Sequence, residues 1–344
     1  MKKFSSICFF LFFSLALIKI NFAESKAPLK DRKKNVKEAF QASLTEFISV
    51  KGFSKAVISV YQEDQKLVDE CFGACTNEPR VYPIASISKL LTEAAIHHLV
   101  SQGKLSLQTK VMDFLKLSYQ PLDKRVNQIT VEQLLNHTGG WDRQISSDPL
   151  FCLDLLPKEL NCSEKFMKYV LTTLALDHDP GAEESYSNFG YFLLGSIVEK
   201  ASGQSFLSYI NQHLAEPNQV HFYQAHLTQK QVAEQPLLNY FNLELSTASF
   251  GLAANLSELC YLFTKIDRHG ELKTTSSSFA HSTQKDSWSK DGSLPATTTS
   301  LIKHFPNNIV IAVYIPSRNE QSWEEDNEEL VELMDQTVEK LWAV

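Results

Sequence analysis

The strand-forming segments of this chain fall into two groups, one toward each end, and the long stretch between them is patterned for helices. This segregation constrains the fold more than any other feature of the sequence. Residues 35–50 place Val36, Phe40, Leu44, Phe47 and Ile48 at the spacing of one helix face. Residues 56–61 and 66–72 then alternate around a polar Glu63-Asp64-Gln65 turn, the pattern of a hairpin. From about residue 88 to 262 the spacing is helical, clearest at 93–100, 131–135, 191–201 and 256–263, with no strand run of comparable quality. Strands return at 287–293, 297–303 and 309–314, with Pro306-Asn307-Asn308 as the last turn. A final helix at 323–342 has acids in its first turn and an apolar face of Leu330, Met334, Val338 and Leu341. Two strand groups arranged this way join most simply into one antiparallel sheet flanked by helices, with the middle folded as an all-helical lobe. The expected fold class is mixed α/β (α+β), with the sheet lobe from about 33–85 and 270–344 and the helical lobe at about 90–265.

With 344 residues, the chain has room for one large domain or two fused ones. Residues 1–23 read as a secretory signal: Lys2 and Lys3 precede a nearly unbroken apolar stretch at 7–18, and Ala23 offers a cleavage position. An uncleaved anchor is disfavoured, since that stretch reaches only ~18 Å as a helix against a bilayer core of ~30 Å. The mature chain is then residues 24–344, exported to the periplasm or secreted, with no stable membrane anchor. Losing Lys2, Lys3 and Lys19 takes the net charge from −7 to −10. Such a balance argues against nucleic acid or an anionic membrane as the main partner.

Outside the cytoplasm, Cys71 with Cys75 and Cys152 with Cys162 are candidate local disulfides, and Cys260, in an apolar run, suits a buried thiol. A metal at the Cys-x-x-x-Cys pair is disfavoured because no histidine follows at ligand spacing. His97 and His98 lack ligand spacing too and fit surface or core roles. No metal or organic cofactor is expected.

Ser86-Ile87-Ser88-Lys89 follows a strand-rich region and leads into a helical run. If Ser86 opens that helix, Lys89 lies one turn on, on the same face, where a neutral amine can take the hydroxyl proton. Ser-x-x-Lys alone is weak, for it recurs at Ser101, Ser282, Ser287 and Ser300. Its company raises Ser86. Tyr186-Ser187-Asn188 follows a Pro-Gly loop at the start of an amphipathic helix, and Lys290-Asp291-Gly292-Ser293 lies on a late strand. In these three motifs and their order the chain resembles the serine beta-lactamase and penicillin-binding-protein-like superfamily, in particular its class C beta-lactamase, D,D-peptidase and esterase branch. The segment from Ile129 to Arg143, with Asn136-His137-Thr138-Gly139-Gly140, and the turn Gly292-Ser293-Leu294-Pro295 resemble further signatures of that family.

The resemblance implies a catalytic site between two lobes. Ser86 would be the nucleophile, Lys89 its partner in proton transfer, and Tyr186 an acid or base whose pKa is lowered by Lys89 and Lys290. Asn188 would orient the substrate amide, His137 would be structural, and Lys290, Asp291, Gly292 and Ser293 would form the substrate-binding strand. The backbone N–H groups of Ser86 and Ser293 would make an oxyanion hole, each donor worth roughly 3 kcal/mol. Three departures from the family pattern stand out: Asp291 between Lys and Gly, Ala296 in the strand turn, and a short segment at 219–245. A carboxylate at Asp291 facing the cleft would repel a substrate carboxylate by about 4 kcal/mol at ~4 Å, favouring neutral esters or amides. The expected function is an exported serine hydrolase acting through an acyl-enzyme on an ester, amide or peptide, with small-molecule or peptide substrates that include cell-wall fragments. The alternative is a catalytically inactive wall-binding or interaction protein.

Overall fold

The computed structural model describes residues 28–75, 81–146, 148–151, 162–225, 242, 245–268, 287–295 and 298–342. Residues 1–27, which include the stretch read as a secretory signal, Cys152, Ala296 and nearly all of 226–244 lie outside the described residues.

The first helix, α1 (Leu29–Lys51), begins ahead of the periodic stretch because its first turn is polar and leaves no apolar pattern. All five predicted core positions on it are buried, and it stops at Gly52, whose φ of +73° supplies the left-handed cap. The strands are β1 (Lys55–Gln62), β2 (Gln65–Gly73), β3 (Val81–Pro83), β4 (Phe222–Gln224), β5 (Leu252–Asn255), β6 (Trp288–Leu294), β7 (Thr298–Phe305) and β8 (Ile309–Ile315). Five of them form an antiparallel sheet in the order β2-β1-β8-β7-β6. The two terminal strand groups therefore meet where β1 pairs with β8, from Val57 opposite Tyr314 to Gln62 opposite Ile309. Asn307 and Asn308 take φ of +61° and +54° in the β7–β8 turn, a conformation that asparagine tolerates well.

The helices between are α2 (Ser88–Ser101), α3 (Val111–Leu115), α4 (Val131–Leu135), α5 (Ser163–Thr173), α6 (Asn188–Ser202), α7 (Phe206–Ile210) and α8 (Leu256–Arg268), and the last is α9 (Trp323–Trp342). One face of the sheet packs on α1 and α9, where Phe40, Leu44, Ile58, Ile311, Val313, Leu330 and Met334 share one apolar cluster. Within this layer the fully buried Lys303 of β7 pairs with Asp335 of α9. Gln62 Oε1 accepts from Arg32 near the start of α1 and, at 3.2 Å, from Trp342 Nε1 at the end of α9. The opposite face meets α8, whose buried Cys260 directs its thiol to Ser59 O. That side continues without a break into the helical region: Val57, Val310, Ala312 and Tyr314 belong to the same cluster as Leu91, Phe189 and Leu194 of α2 and α6.

The middle is not purely helical as expected. β3, β5 and β4 form a second antiparallel sheet, each strand only three or four residues long, too short for alternation to show in the sequence. Cys71 and Cys75 are joined at the end of β2, Cys162 is a free exposed thiol, and Cys260 is buried. Among the described residues, no helix is long and apolar enough to cross a membrane.

Candidate active site

β3 delivers the chain to a single 3₁₀ turn, Ala85–Ile87, immediately before α2. Ser86 is therefore one tight turn ahead of the α-helix rather than its first residue. The i, i+3 relation to Lys89 survives, because side chains three apart eclipse in 3₁₀ geometry. Ala85 is fully buried with φ of +45°, a strained conformation for a residue with a Cβ. The strain is locked in from several sides. Ser88 Oγ donates to Ala85 O at 2.6 Å and accepts from Leu252 N, and Ser300 Oγ donates to Ile84 O at 3.2 Å. Ile84, Ala85, Ile87 and Ser88 are buried while Ser86 remains partly open, so the turn presents one hydroxyl outward.

Lys89 is fully buried. Its Nζ donates to Asn188 Oδ1 and to Ser249 O, both at 2.7 Å, and stands 3.3 Å from Ser86 Oγ. Burial, reinforced by the charge of Lys290, holds Lys89 well below the ordinary lysine range. Tyr186 reaches the same serine from the loop before α6, with its OH 2.6 Å from Ser86 Oγ. The expected lowering of the Tyr186 pKa is not found. Burial pushes this phenol up, and that outweighs the opposing pull of its hydrogen bond to Ser86 and the charge of Arg143. Its ring stacks on His137 at 4.6 Å and carries the Lys89 ammonium position at 4.7 Å and the Arg143 guanidinium at 4.7 Å from its centroid. His137 is structural in contact: its Nδ1 accepts from Ser187 N, and burial keeps the imidazole neutral by lowering its pKa well below the ordinary value.

Asn188, the first residue of α6, uses its side-chain oxygen to hold Lys89, while its backbone O accepts from Ser249 Oγ at 2.8 Å. On the opposite wall, β6 alternates. Lys290 and Gly292 are buried toward the turn, and Lys290 Nζ lies 5.9 Å from the Tyr186 ring centroid. A Cβ on Gly292 would come within 2.5 Å of Ile84 O and 2.9 Å of Ser86 N, so only glycine lets the strand run flush against the nucleophile turn. Asp291 points the other way: its carboxylate accepts from Asn327 Nδ2 of α9 at 3.3 Å. The direction of this acid, left open by the sequence, is away from the cleft, since strand alternation puts it on the far side of the sheet from Lys290, and the conditional repulsion of a substrate carboxylate does not arise. Ser293, on the same side as Asp291, accepts from Arg318 through its hydroxyl at 3.4 Å.

Residues 40–301 match the family described as Beta-lactamase. The chain belongs to the Beta-lactamase family. A relative from Dichelobacter nodosus, named "Probable fimbrial assembly protein FimD, serogroup H1", is 40% identical over 124 residues, 36% of this beta-lactamase family chain and 30% of that protein. The N-acetylmuramyl-L-alanine amidase of Bacillus subtilis is 35% identical over 142 residues, 40% of this chain and 31% of its own length. The matched part is thus under a third of these relatives. Among solved structures, the beta-lactamase/D-alanine carboxypeptidase from Yersinia pestis aligns with a TM-score of 0.67 and 15% identity, covering 88% of this chain and 98% of that one, a likeness of fold.

The structure brings Ser86, Lys89, Tyr186, Asn188, Lys290 and Gly292 together in space. Sequence reasoning missed Asp148 and Ser249, which lie in segments with no motif spacing to mark them, and the roles of Ser88 and Arg143, which lie within motif segments but at positions the motifs do not single out. Among the described residues, no group of three or more His, Cys, Asp or Glu side chains is arranged to hold a metal ion.

Proposed function

We propose that the protein is an exported serine hydrolase that forms an acyl-enzyme on Ser86 and hydrolyses an ester, amide or peptide bond. The observation that carries this reading is the convergence of Lys89 Nζ, at 3.3 Å, and Tyr186 OH, at 2.6 Å, on one partly open serine oxygen. A neutral lysine amine has two N–H bonds. Asn188 Oδ1 and Ser249 O take both, and the remaining lone pair is left for the Ser86 proton. Lys89 is then the base and Tyr186, a phenol kept protonated by burial, is the donor to the leaving group.

In the first half-reaction Ser86 Oγ bonds to the substrate carbonyl carbon and its proton passes to Lys89. The carbonyl oxygen becomes an oxyanion facing the backbone N–H groups of Ser86 and Ser293, brought near one another by the close approach at Gly292. As the C–N or C–O bond breaks, Tyr186 OH gives its proton to the leaving group and regains one from Lys89. Water repeats the sequence on the ester, using Lys89 as base, and frees the acid.

The names of the Bacillus subtilis and Yersinia pestis proteins support small peptides or amides of cell-wall origin as the substrate class. With Asp291 turned to α9, nothing on that strand repels a substrate carboxylate. A catalytically inactive wall-binding relative is not favoured, because the nucleophile, base and phenol are in contact. The deciding experiment is fluorophosphonate and fluorescent-penicillin labelling followed by intact mass. One adduct is expected, lost in Ser86→Ala; an adduct that persists in that variant would overturn the assignment.

A further inference from the structure

Asp148 is a carboxylate 5% exposed, in a loop with no catalytic signature and unused by the chemistry above. Its Oδ2 accepts the backbone N–H of Asn188 at 2.8 Å, and its Oδ1 accepts that of Leu150 at 3.0 Å. The Nδ2 of Asn188 is buried without a hydrogen-bond partner among the described residues, so the carboxylate holds Asn188 through its backbone N–H and acts on the side-chain amide through charge alone. Asn188 opens α6, so the carboxylate lies at the positive end of a 15-residue helix. No ion pair with a described residue touches it.

Asn188 can serve Lys89 only if its Oδ1, and not its NH₂, faces the amine. A carboxylate repels an amide oxygen and attracts an amide N–H, so Asp148 sets that orientation. We propose, building on the hydrolase reading, that Asp148 is a positioning residue of the reaction: it anchors the backbone of Asn188 so that the side-chain oxygen holds Lys89, and its carboxylate favours the ammonium form of Lys89. Lys290 of β6 and Arg143 of the loop that also carries Asp148 act on Lys89 in the opposite sense, and Lys290 is itself acted on by Asp291 and Glu93. The other groups facing Lys89 are the rings of Tyr186 and Tyr191 and, at longer range, Asp291 behind the sheet. Glu93, one turn further along α2, bonds Tyr191 OH at 2.6 Å and His137 stacks on Tyr186, so neither contacts the amine. Burial raises the Asp148 pKa above the ordinary carboxylate value, and two backbone N–H bonds with the charge of Lys89 offset part of that rise.

The test separates charge from shape. Asp148→Asn keeps the size of the side chain and removes the charge, so Lys89 loses a neighbour that favours its ammonium form. In protein labelled with ¹³C at lysine Cε, the Lys89 titration midpoint should fall by about one pH unit. The acidic limb of kcat/KM for a short acyl ester should fall with it. Asp148→Ala should lower kcat at least about tenfold at every pH with little change in KM, through loss of alignment. If Asp148→Asn does not fold, Asp148→Glu keeps the charge but lengthens the arm; it should hold the Lys89 midpoint within about half a unit and lose rate. An unmoved Lys89 titration in Asp148→Asn, or full rate in Asp148→Glu, overturns the proposal. The spectroscopic titration needs no turnover. Wild-type protein that fails to acylate would therefore defeat the hydrolase reading and leave the Asp148 result to stand or fall by itself.

Discussion

Lys89 and Tyr186 share one serine, and their opposite responses to burial divide the chemistry between them. Desolvation disfavours whichever form is charged, so it drives the lysine toward the free amine and the tyrosine toward the phenol. Acylation should therefore rise with pH as Lys89 loses its proton, at a pH well below that of an ordinary lysine. The pH profile of kcat/KM for an acyl ester checks this; an acidic limb near ordinary lysine titration would contradict it. Lys89→Ala and Tyr186→Phe should each slow acylation by at least ~10²-fold with the fold intact by circular dichroism. At the mouth, Arg143 is exposed over the Tyr186 face and Asp291 is turned away. Arg143→Gln should reduce reactivity toward a carboxylate-bearing substrate relative to a neutral ester by about tenfold, or ~1.4 kcal/mol, while Asp291→Thr should leave that ratio unchanged. Paired kcat/KM measurements decide both. The nucleophile, base and phenol were legible in the sequence because each belongs to a spaced motif. The roles of Asp148, Arg143 and Ser249 were not, since each acts from a loop whose path only tertiary packing defines.

At the scale of elements, the approach of β6 to the turn before α2 controls the site geometry. Gly292→Ala should force the strand away from Ser86 N and abolish labelling of Ser86, whereas the layer formed by α1, α9 and the sheet should keep its packing. Labelling combined with amide hydrogen exchange in α1 and α9 distinguishes this from general unfolding. In that second layer, the sheet buries one ammonium. Asp335→Ala would strand Lys303 without its partner and should cost about 3 kcal/mol, measured by denaturant unfolding, with little change in the active site. The outer helices and the long strands were readable because their apolar spacing runs over many residues. The short sheet of β3, β5 and β4 was hidden: three residues of Phe222–Gln224 cannot declare a period.

For the whole molecule, the division of strands between the two ends correctly indicated one antiparallel sheet, since residues that cannot bury their faces locally must find each other. The apolar cluster that runs from Val57 and Tyr314 into α2 and α6 makes the sheet and the helices thermodynamically one body. Export remains our proposal from residues 1–23, and N-terminal sequencing of the secreted protein should find a start just after Ala23; a mature chain beginning at Met1 would contradict it. The strand order has a consequence in time. The middle strand of the large sheet, β8, is the last strand to leave the ribosome among those described, and its partner β1 is the first. Bringing Val57 to Tyr314 directly closes a loop whose entropic cost is roughly 5 kcal/mol. A nascent chain stalled before Ile309 has the edge of β1 unpaired and cannot complete its core, so it should be cut readily by protease. The topology thus leaves β1 without its central partner until β8 has emerged.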